Sequence, residues 1–181
     1  SAYLEVASHL TLMSWSPERF LSVKGNLLAT FPIKGTAPRS EEEQIDQVLK
    51  HTLSSSTKER AELAMIVDMA RHDLGRLAPP GGVSVLNEGE IQSFTTLHHR
   101  IAQVQAEWNP SHGLSSLMRA TFPPASVTGA PKVRALQAIV ELEQEARGPY
   151  CGCLGYWLPG QPRGDFSVLI RTAMLSQNKM N

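Results

Sequence analysis

The sequence predicts an α+β fold in which helices cover mainly antiparallel sheet. Three observations predict it. Short runs of β-branched, aromatic and other apolar residues open the chain and are joined by turn signals. Two consecutive helices with their own start signals follow, and further strands return after them.

Tyr3 to Val6 and Leu10 to Trp15 read as strands. They lead into Ser16-Pro17-Glu18-Arg19-Phe20, a turn whose proline sets Glu18 just beyond a strand end. A lone glutamate at such a place is ordinarily solvated. Leu21 to Ile33 reads as a hairpin turning at Lys24-Gly25-Asn26, and its second strand delivers Pro32-Ile33-Lys34-Gly35-Thr36. Pro32 and Gly35 bracket Lys34 in a short, shaped segment, although a solubilising surface lysine is the plainer reading.

Ser40-Glu41-Glu42-Glu43 reads as a capping box before a surface helix with Ile45, Val48, Leu49 and Leu53. A second box, Ser56-Thr57-Lys58-Glu59, opens a helix running through Leu63, Ile66, Val67 and Ala70 to about Leu74. Glu59 and Glu62 lie three apart on one face, the spacing needed to share a cation. Glu59 also reads as the capping glutamate alone. Glu62 abuts an apolar run, where an unpaired carboxylate would be costly.

Gly81 to Val85 reads as a turn and strand, and Phe94 to Val104 as a longer strand. Leu97, His99 and Ile101 share one of its faces, His98 and Arg100 the other. A histidine between apolar neighbours is ordinarily a satisfied core residue. Asn109 to Gly113 is a loop and Leu114 to Ala120 a short helix. Val127-Thr128-Gly129-Ala130-Pro131-Lys132-Val133-Arg134 then joins a loop to a patterned helix, with Val133, Leu136, Ile139 and Val140 at helical spacing. Pro131 suits the first turn of that helix, and Thr128 and Gly129 precede an N-terminus whose free N–H groups favour an anion. An ordinary N-cap with a packing glycine is the competing reading. Cys151 to Leu158 and Phe166 to Ala173 read as central strands, apolar on both faces, joined by the Pro159 to Gly164 turn. Arg171 is then a buried-strand arginine, which wants an anion.

The 181 residues make one domain's worth of chain, and 17 basic against 17 acidic residues leave no net charge. No global field draws it to nucleic acid or an acidic membrane, so any attraction for a small anion is local. No apolar run approaches the roughly 20 residues that span a bilayer, and the start lacks a signal pattern. The expectation is a soluble, cytoplasmic protein. The two cysteines, Cys151 and Cys153, are one residue apart, which is neither a redox nor a zinc spacing. They read as packing together on one strand face.

In order, Pro32-Ile33-Lys34-Gly35-Thr36, Glu62 to Asp68 with Asp73-Leu74-Gly75-Arg76, the Thr-Gly-Ala-Pro-Lys stretch, Arg147-Gly148-Pro149-Tyr150-Cys151-Gly152 and Ile170-Arg171-Thr172 resemble the chorismate-utilising enzymes. That family includes component I of anthranilate and aminodeoxychorismate synthases, and isochorismate and salicylate synthases. The resemblance runs from about Ser16 to Thr172. It implies two mainly antiparallel sheets packed together inside outer helices, with the ligand in a cleft between them. It also implies that residues 1–181 form part of a single chorismate-binding domain, without its N-terminal portion and its C-terminal acidic helix.

For the site, the resemblance implies that Glu62 is the Mg²⁺-side ligand with Glu59 nearby. His99 and Thr128, followed by Gly129, sit by the reacting ring, and Tyr150 and Arg171 hold the enolpyruvyl carboxylate. The Ser-Pro-Glu segment places Glu18 in the active-site region. Lys34 occupies a slot that separates reactions within the family: alanine in anthranilate synthases, lysine in aminodeoxychorismate synthases, where it looks like a nucleophile. The expected activity is Mg²⁺-dependent amination of chorismate, with ammonia from a glutamine amidotransferase subunit. The alternatives are anthranilate, isochorismate or salicylate synthesis, or a truncated chorismate-binding fragment without turnover. Three places depart from the family pattern. Arg100 and Gln103 stand where an aliphatic residue and a serine are usual, and Pro124-Ala125 stands where the family has two glycines.

Overall fold

The computed structural model describes residues 1–7, 10–158, 160–176 and 179–180. In chain order the strands are β1 (Ala2–Ala7), β2 (Leu10–Ser14), β3 (Arg19–Lys24), β4 (Leu27–Thr30) and β5 (Ile33–Pro38). Helices α1 (Glu43–Ser55) and α2 (Thr57–Gly75) follow, then β6 (Val83–Ser93), β7 (Leu97–Glu107), α3 (Gly113–Thr121) and α4 (Lys132–Leu142). The chain closes with β8 (Cys153–Leu158), β9 (Arg163–Val168), β10 (Thr172–Ser176) and β11 (Lys179–Met180). Strands β1, β2, β10 and β11 form one sheet; β5, β7, β4, β3, β9 and β8 form the other, with β6 on the free side of β7. Every pairing among the described residues is antiparallel. The α+β expectation holds.

Two strand pairs pass from one sheet into the other side by side. Strand β2 pairs with β10 in the first sheet, with Ser14 opposite Thr172. Its continuation β3 pairs with β9 in the second, with Arg19 opposite Ser167. Between them Trp15 N donates to Arg171 O at 3.0 Å and Val168 N to Glu18 O at 3.1 Å, so the ladder runs through the bend without a slip. Pro17 lacks an N–H and sits where the first strand turns. The expected strand Phe166 to Ala173 is therefore two strands in two sheets, separated at Leu169–Arg171. Arg171 is exposed, with φ of 48° at the bend, and is not a buried-strand residue.

The hairpin at Lys24-Gly25-Asn26 forms as expected, with Gly25 at φ 63° supplying the left-handed turn residue. Its second strand stops at Thr30. Pro32 cannot donate to a ladder, but its carbonyl accepts from Ala102 N at 3.1 Å, and the chain re-enters as β5 farther along the eleven-residue β7. Strand β7 begins at Leu97, not Phe94, because Phe94 N closes the β6–β7 turn on Leu97 O. Among the described residues strand β8 pairs with β9 alone and exposes Tyr156 and Leu158, so here it lies at the edge of the sheet and not in its centre. Cys151 lies in the preceding turn at φ 64°, so the two cysteines do not share a strand face. Of the turn before β9, Pro159 lies outside the described residues.

The core lies between the seven-stranded sheet and helices α2 and α3. Leu63, Val67, Ala70 and Leu74 of α2 and Leu117 of α3 pack on Leu21, Val23, Leu28, Val104 and Val168. Complete burial of each such leucine is worth about 1.5–3 kcal/mol. Ser56 caps α2 as expected, accepting from Glu59 N at 3.3 Å. The first box does not form. Helix α1 starts at Glu43 without a side-chain cap, and Asp46 bonds Ser40 N from inside the helix.

Asp46 is buried and accepts from Arg39 Nε at 2.8 Å and His98 Nε2 at 3.0 Å; His98 Nδ1 lies 2.8 Å from Ser93 Oγ. The hydrogen bond from Arg39 holds the Asp46 carboxyl well below the usual carboxylate range. His98 is thus a satisfied histidine that locks α1 to β7. Arg100, on the same face, donates Nη2 to Leu53 O at 2.6 Å and Ser54 O at 2.7 Å, and Nη1 to Gly89 O. Its charge sits on the carbonyls ending α1, where the helix dipole favours a cation.

Candidate functional site

The site forms where β2 bends into β3 and β5 lies alongside. The bend carries Glu18 inward, leaving it 7% exposed. Burial pushes its carboxyl up, against hydrogen bonds from the Ser126 hydroxyl and the Ile33 backbone N–H and the nearby charge of Lys34. A carboxyl shifted this way by its surroundings holds its proton to higher pH than a solvated glutamate. The ordinary solvated reading of a glutamate here does not hold, because the bend points Glu18 away from water.

Lys34 is half-buried at the start of β5. Next to it Gly35 has φ 90°, and a methyl there would lie 2.9 Å from Leu53 Cδ1 and 3.2 Å from a carboxylate oxygen of Glu59. Only glycine lets β5 pass this close to α1 and α2. The competing reading of Glu59, a capping glutamate alone, is thus incomplete, because its side chain also reaches Gly35.

His99 points to the face of β7 opposite His98. Its Nδ1 lies 2.9 Å from Thr36 Oγ1, and the Phe94 ring meets it edge-on at 5.8 Å. Desolvation lowers its pKa, a hydrogen bond to the Gly35 backbone pulls the other way, and the charge of Arg171 lowers it further. A neutral imidazole results, able to accept or relay a proton. The charge of Arg171 is felt at His99, and at the bend its side chain is exposed to solvent. Strand β5 thus gathers Glu18, Lys34, Glu59, His99 and Arg171 from five separate elements.

Other expected residues stand differently. Glu62 is half-exposed, with Lys58 Nζ 3.9 Å away, so it does not meet the desolvation penalty that the apolar run suggested. Thr128 Oγ1 lies 3.2 Å from Pro124 O and 3.4 Å from Ala125 O and serves its own loop. Gly129 has φ 142°, and a methyl there would lie 3.0 Å from Ala135 Cβ. Pro131 is the N-cap of α4 and precedes its first turn, because Ala135 N bonds Pro131 O. Tyr150 is exposed and stacks with Arg147, which in turn pairs with Glu143.

Ser126 was not singled out by sequence, nor were Asp73 and Lys132 as a pair. Asp73 is buried in the last turn of α2, and Lys132 Nζ reaches its Oδ2 at 2.5 Å. A carboxylate closing an apolar helix stripe was the available signal. Glu59, Glu62, Ile66, Ala70 and Asp73 recur along one side of α2 at three- and four-residue steps. The last three also line a small cavity of about 30 Å³ together with Glu18, Thr30, Thr121 and Ser126.

Among the described residues no cluster of three or more histidine, cysteine, aspartate or glutamate side chains is arranged around a metal position. Glu59 and Glu62, one helical turn apart, fit part of the oxygen set that a hard divalent cation takes. Among those residues no helix is long and apolar enough to cross a membrane.

This assembly can be set beside known proteins. The chain is 41% identical to aminodeoxychorismate synthase component 1 of Salmonella typhimurium over 169 residues, covering 93% of this chain and 37% of that protein. It is also 41% identical to anthranilate synthase component 1 of Aquifex aeolicus, covering 91% of this chain and 33% of that one. The crystal structure of anthranilate synthase component I from Streptococcus pneumoniae superposes with a TM-score of 0.86 at 32% identity, over 99% of this chain and 39% of that one. The chain therefore spans between a third and two fifths of the length of these relatives. The pattern of the family described as chorismate binding enzyme matches residues 1–181, and the chain belongs to that family.

Proposed function

We propose that the protein of which these 181 residues form the site-bearing part aminates chorismate to 4-amino-4-deoxychorismate. Relatives bearing the aminodeoxychorismate and the anthranilate synthase names are equally identical, so the choice rests on the site. The observation that carries it is Lys34 beside a buried Glu18 whose carboxyl is pushed up. An amine next to a carboxyl whose hold on its proton is strengthened can act as a nucleophile paired with a general acid.

In this reading the Lys34 amine adds to the chorismate ring, the ring double bonds shift, and the C–O bond to the ring hydroxyl breaks. Glu18 gives its proton to the departing oxygen, which leaves as water. Ammonia then adds to the ring, the double bonds shift back, and Lys34 departs as the free amine. His99, held neutral against Thr36, is placed to take the proton that the attacking nitrogen sheds. Arg171 holds a carboxylate with its planar fork. Glu59 and Glu62 would hold Mg²⁺, which supplies fixed positive charge for the other carboxylate when bound. A glutamine amidotransferase subunit would supply the ammonia, in keeping with the component 1 designation of the relatives.

The test is trapping. With chorismate and Mg²⁺ but no ammonia, the peptide carrying Lys34 gains the mass of chorismate less water, and Lys34→Ala abolishes the gain. Isochorismate or anthranilate as product, with no adduct on Lys34, would refute the assignment and leave the family untouched.

A further inference from the structure

We propose that Asp73 and Lys132 are positioning residues, whose ion pair fastens the loop between α3 and α4 so that Ser126 stays on Glu18. The inference rests on the reading of Glu18 as the acid of the proposed reaction.

The two charges stand at the wrong ends of their helices. Asp73 lies in the last turn of α2, where the dipole disfavours an anion; Lys132 is the first residue of α4, where it disfavours a cation. Both side chains are largely buried, 11% and 16% exposed. Each charge alone would be costly there, and neither helps its own helix. Together they join two elements that share little else. Helix α4 buries none of its residues, and Val133 and Val140 are 71% and 80% exposed. Lys132 Nζ also donates to Thr121 O at 2.9 Å, so one ammonium ties the end of α3, the start of α4 and α2.

Between those two ends run residues 122–131. Buried Pro124 and partly buried Val127 seat the middle of the loop on the core. Its far end is fixed by Lys132. Ser126 sits between these anchors and lines the same small cavity as the Glu18 carboxyl, where its hydroxyl opposes the rise in that carboxyl's pKa. Asp73 also lines that cavity, roomy enough for about one water, so the tie and the acid are neighbours around one small, mainly apolar pocket.

The test compares Lys132→Met with Lys132→Arg in this chain, read by hydrogen exchange and by carbon-detected titration of the Glu18 carboxyl. In Lys132→Met the amides of Val127, Thr128 and Ala135 lose about tenfold or more of their protection while those of α2 and β7 keep theirs. The Glu18 midpoint rises as the Ser126 hydrogen bond is lost. Lys132→Arg restores both. Should Lys132→Met not fold, Asp73→Asn, which leaves Lys132 an oxygen to bond, is read in its place. Unchanged protection and an unchanged Glu18 midpoint in a folded variant would overturn the proposal, as would equal loss of protection throughout the chain. Because neither readout needs turnover, a displaced midpoint in a protein that never converts chorismate would sink the proposed reaction and leave the positioning role standing.

Discussion

Gly35→Ala tests how tightly β5 is held against the helices. At φ 90° an alanine costs about 1–2 kcal/mol in backbone strain. Its methyl would also lie 2.9 Å from Leu53 Cδ1 and 3.2–3.3 Å from two atoms of the Glu59 side chain. Leu53 is buried and its carbonyl is held by Arg100, so it has little room to yield. Overpacking of that kind costs about 1–3 kcal/mol, giving about 2–5 kcal/mol in all. Gly25 is the internal control, with φ 63° and nothing within 4 Å of an added methyl, so Gly25→Ala should cost about 1–2 kcal/mol from strain alone. The difference between the variants, about 1–3 kcal/mol, corresponds to about 2–12 °C in melting temperature for a chain of this size. Thermal unfolding followed by circular dichroism measures both. Should Gly35→Ala melt within a degree of Gly25→Ala, β5 is not wedged between α1 and α2, and the placement of Lys34 and Thr36 loses its physical basis.

Two further outcomes follow from the same geometry. A carboxyl whose folded-state pKa is raised favours the fold below its ordinary value of 4.5 and weakens it as pH climbs through the raised value. Glu18→Gln should therefore melt higher than the parent at pH 8, with the gain vanishing below about pH 4, while chorismate turnover falls about 10²–10⁴-fold. A gain that persists at low pH would show that the carboxyl is not burdened by its burial. Arg100→Leu restores the side chain usual in the family yet strips the α1 carbonyls of their donor, and should lose about 2–4 kcal/mol in urea unfolding. A variant as stable as the parent would mean that those carbonyls find water.

Local signals were read correctly where local chemistry decides. Ser56 caps α2 because hydroxyl and N–H are three residues apart, and Gly25 turns a hairpin because glycine takes φ 63° without strain. The division of His98 and His99 follows from strand alternation, and the structure gives one to a buried network and the other to the site. What stayed hidden depends on distance along the chain. The unbroken apolar run Val168-Leu169-Ile170 conceals a change of sheet, since a strand leaving one sheet for another keeps the composition of a central strand. Ser40 forms no box because Asp46 reaches its N–H first, fixed in turn by His98 52 residues away. Asp73 and Lys132, 59 residues apart, have no common pattern in the sequence. The polarity of the Glu62 position was misjudged because burial changes along the helix: Ile66, one turn on along the same side, is buried, while Glu62 stays half-exposed beside Lys58.

The double crossing between the sheets also governs how this site can change over evolutionary time. Strand residues alternate faces with a period of two, so one residue inserted or deleted within Trp15–Glu18 or Leu169–Arg171 would exchange inside and outside for everything on one side of the break. Ser14, 2% exposed, would then point to solvent, or else Leu21 and Val23 would leave the core. Glu18 and Arg171 are carried on those two segments. New chemistry can arise here by exchanging side chains, whereas a change in chain length is accommodated farther out, at turns such as Gly25-Asn26 where no face depends on the count.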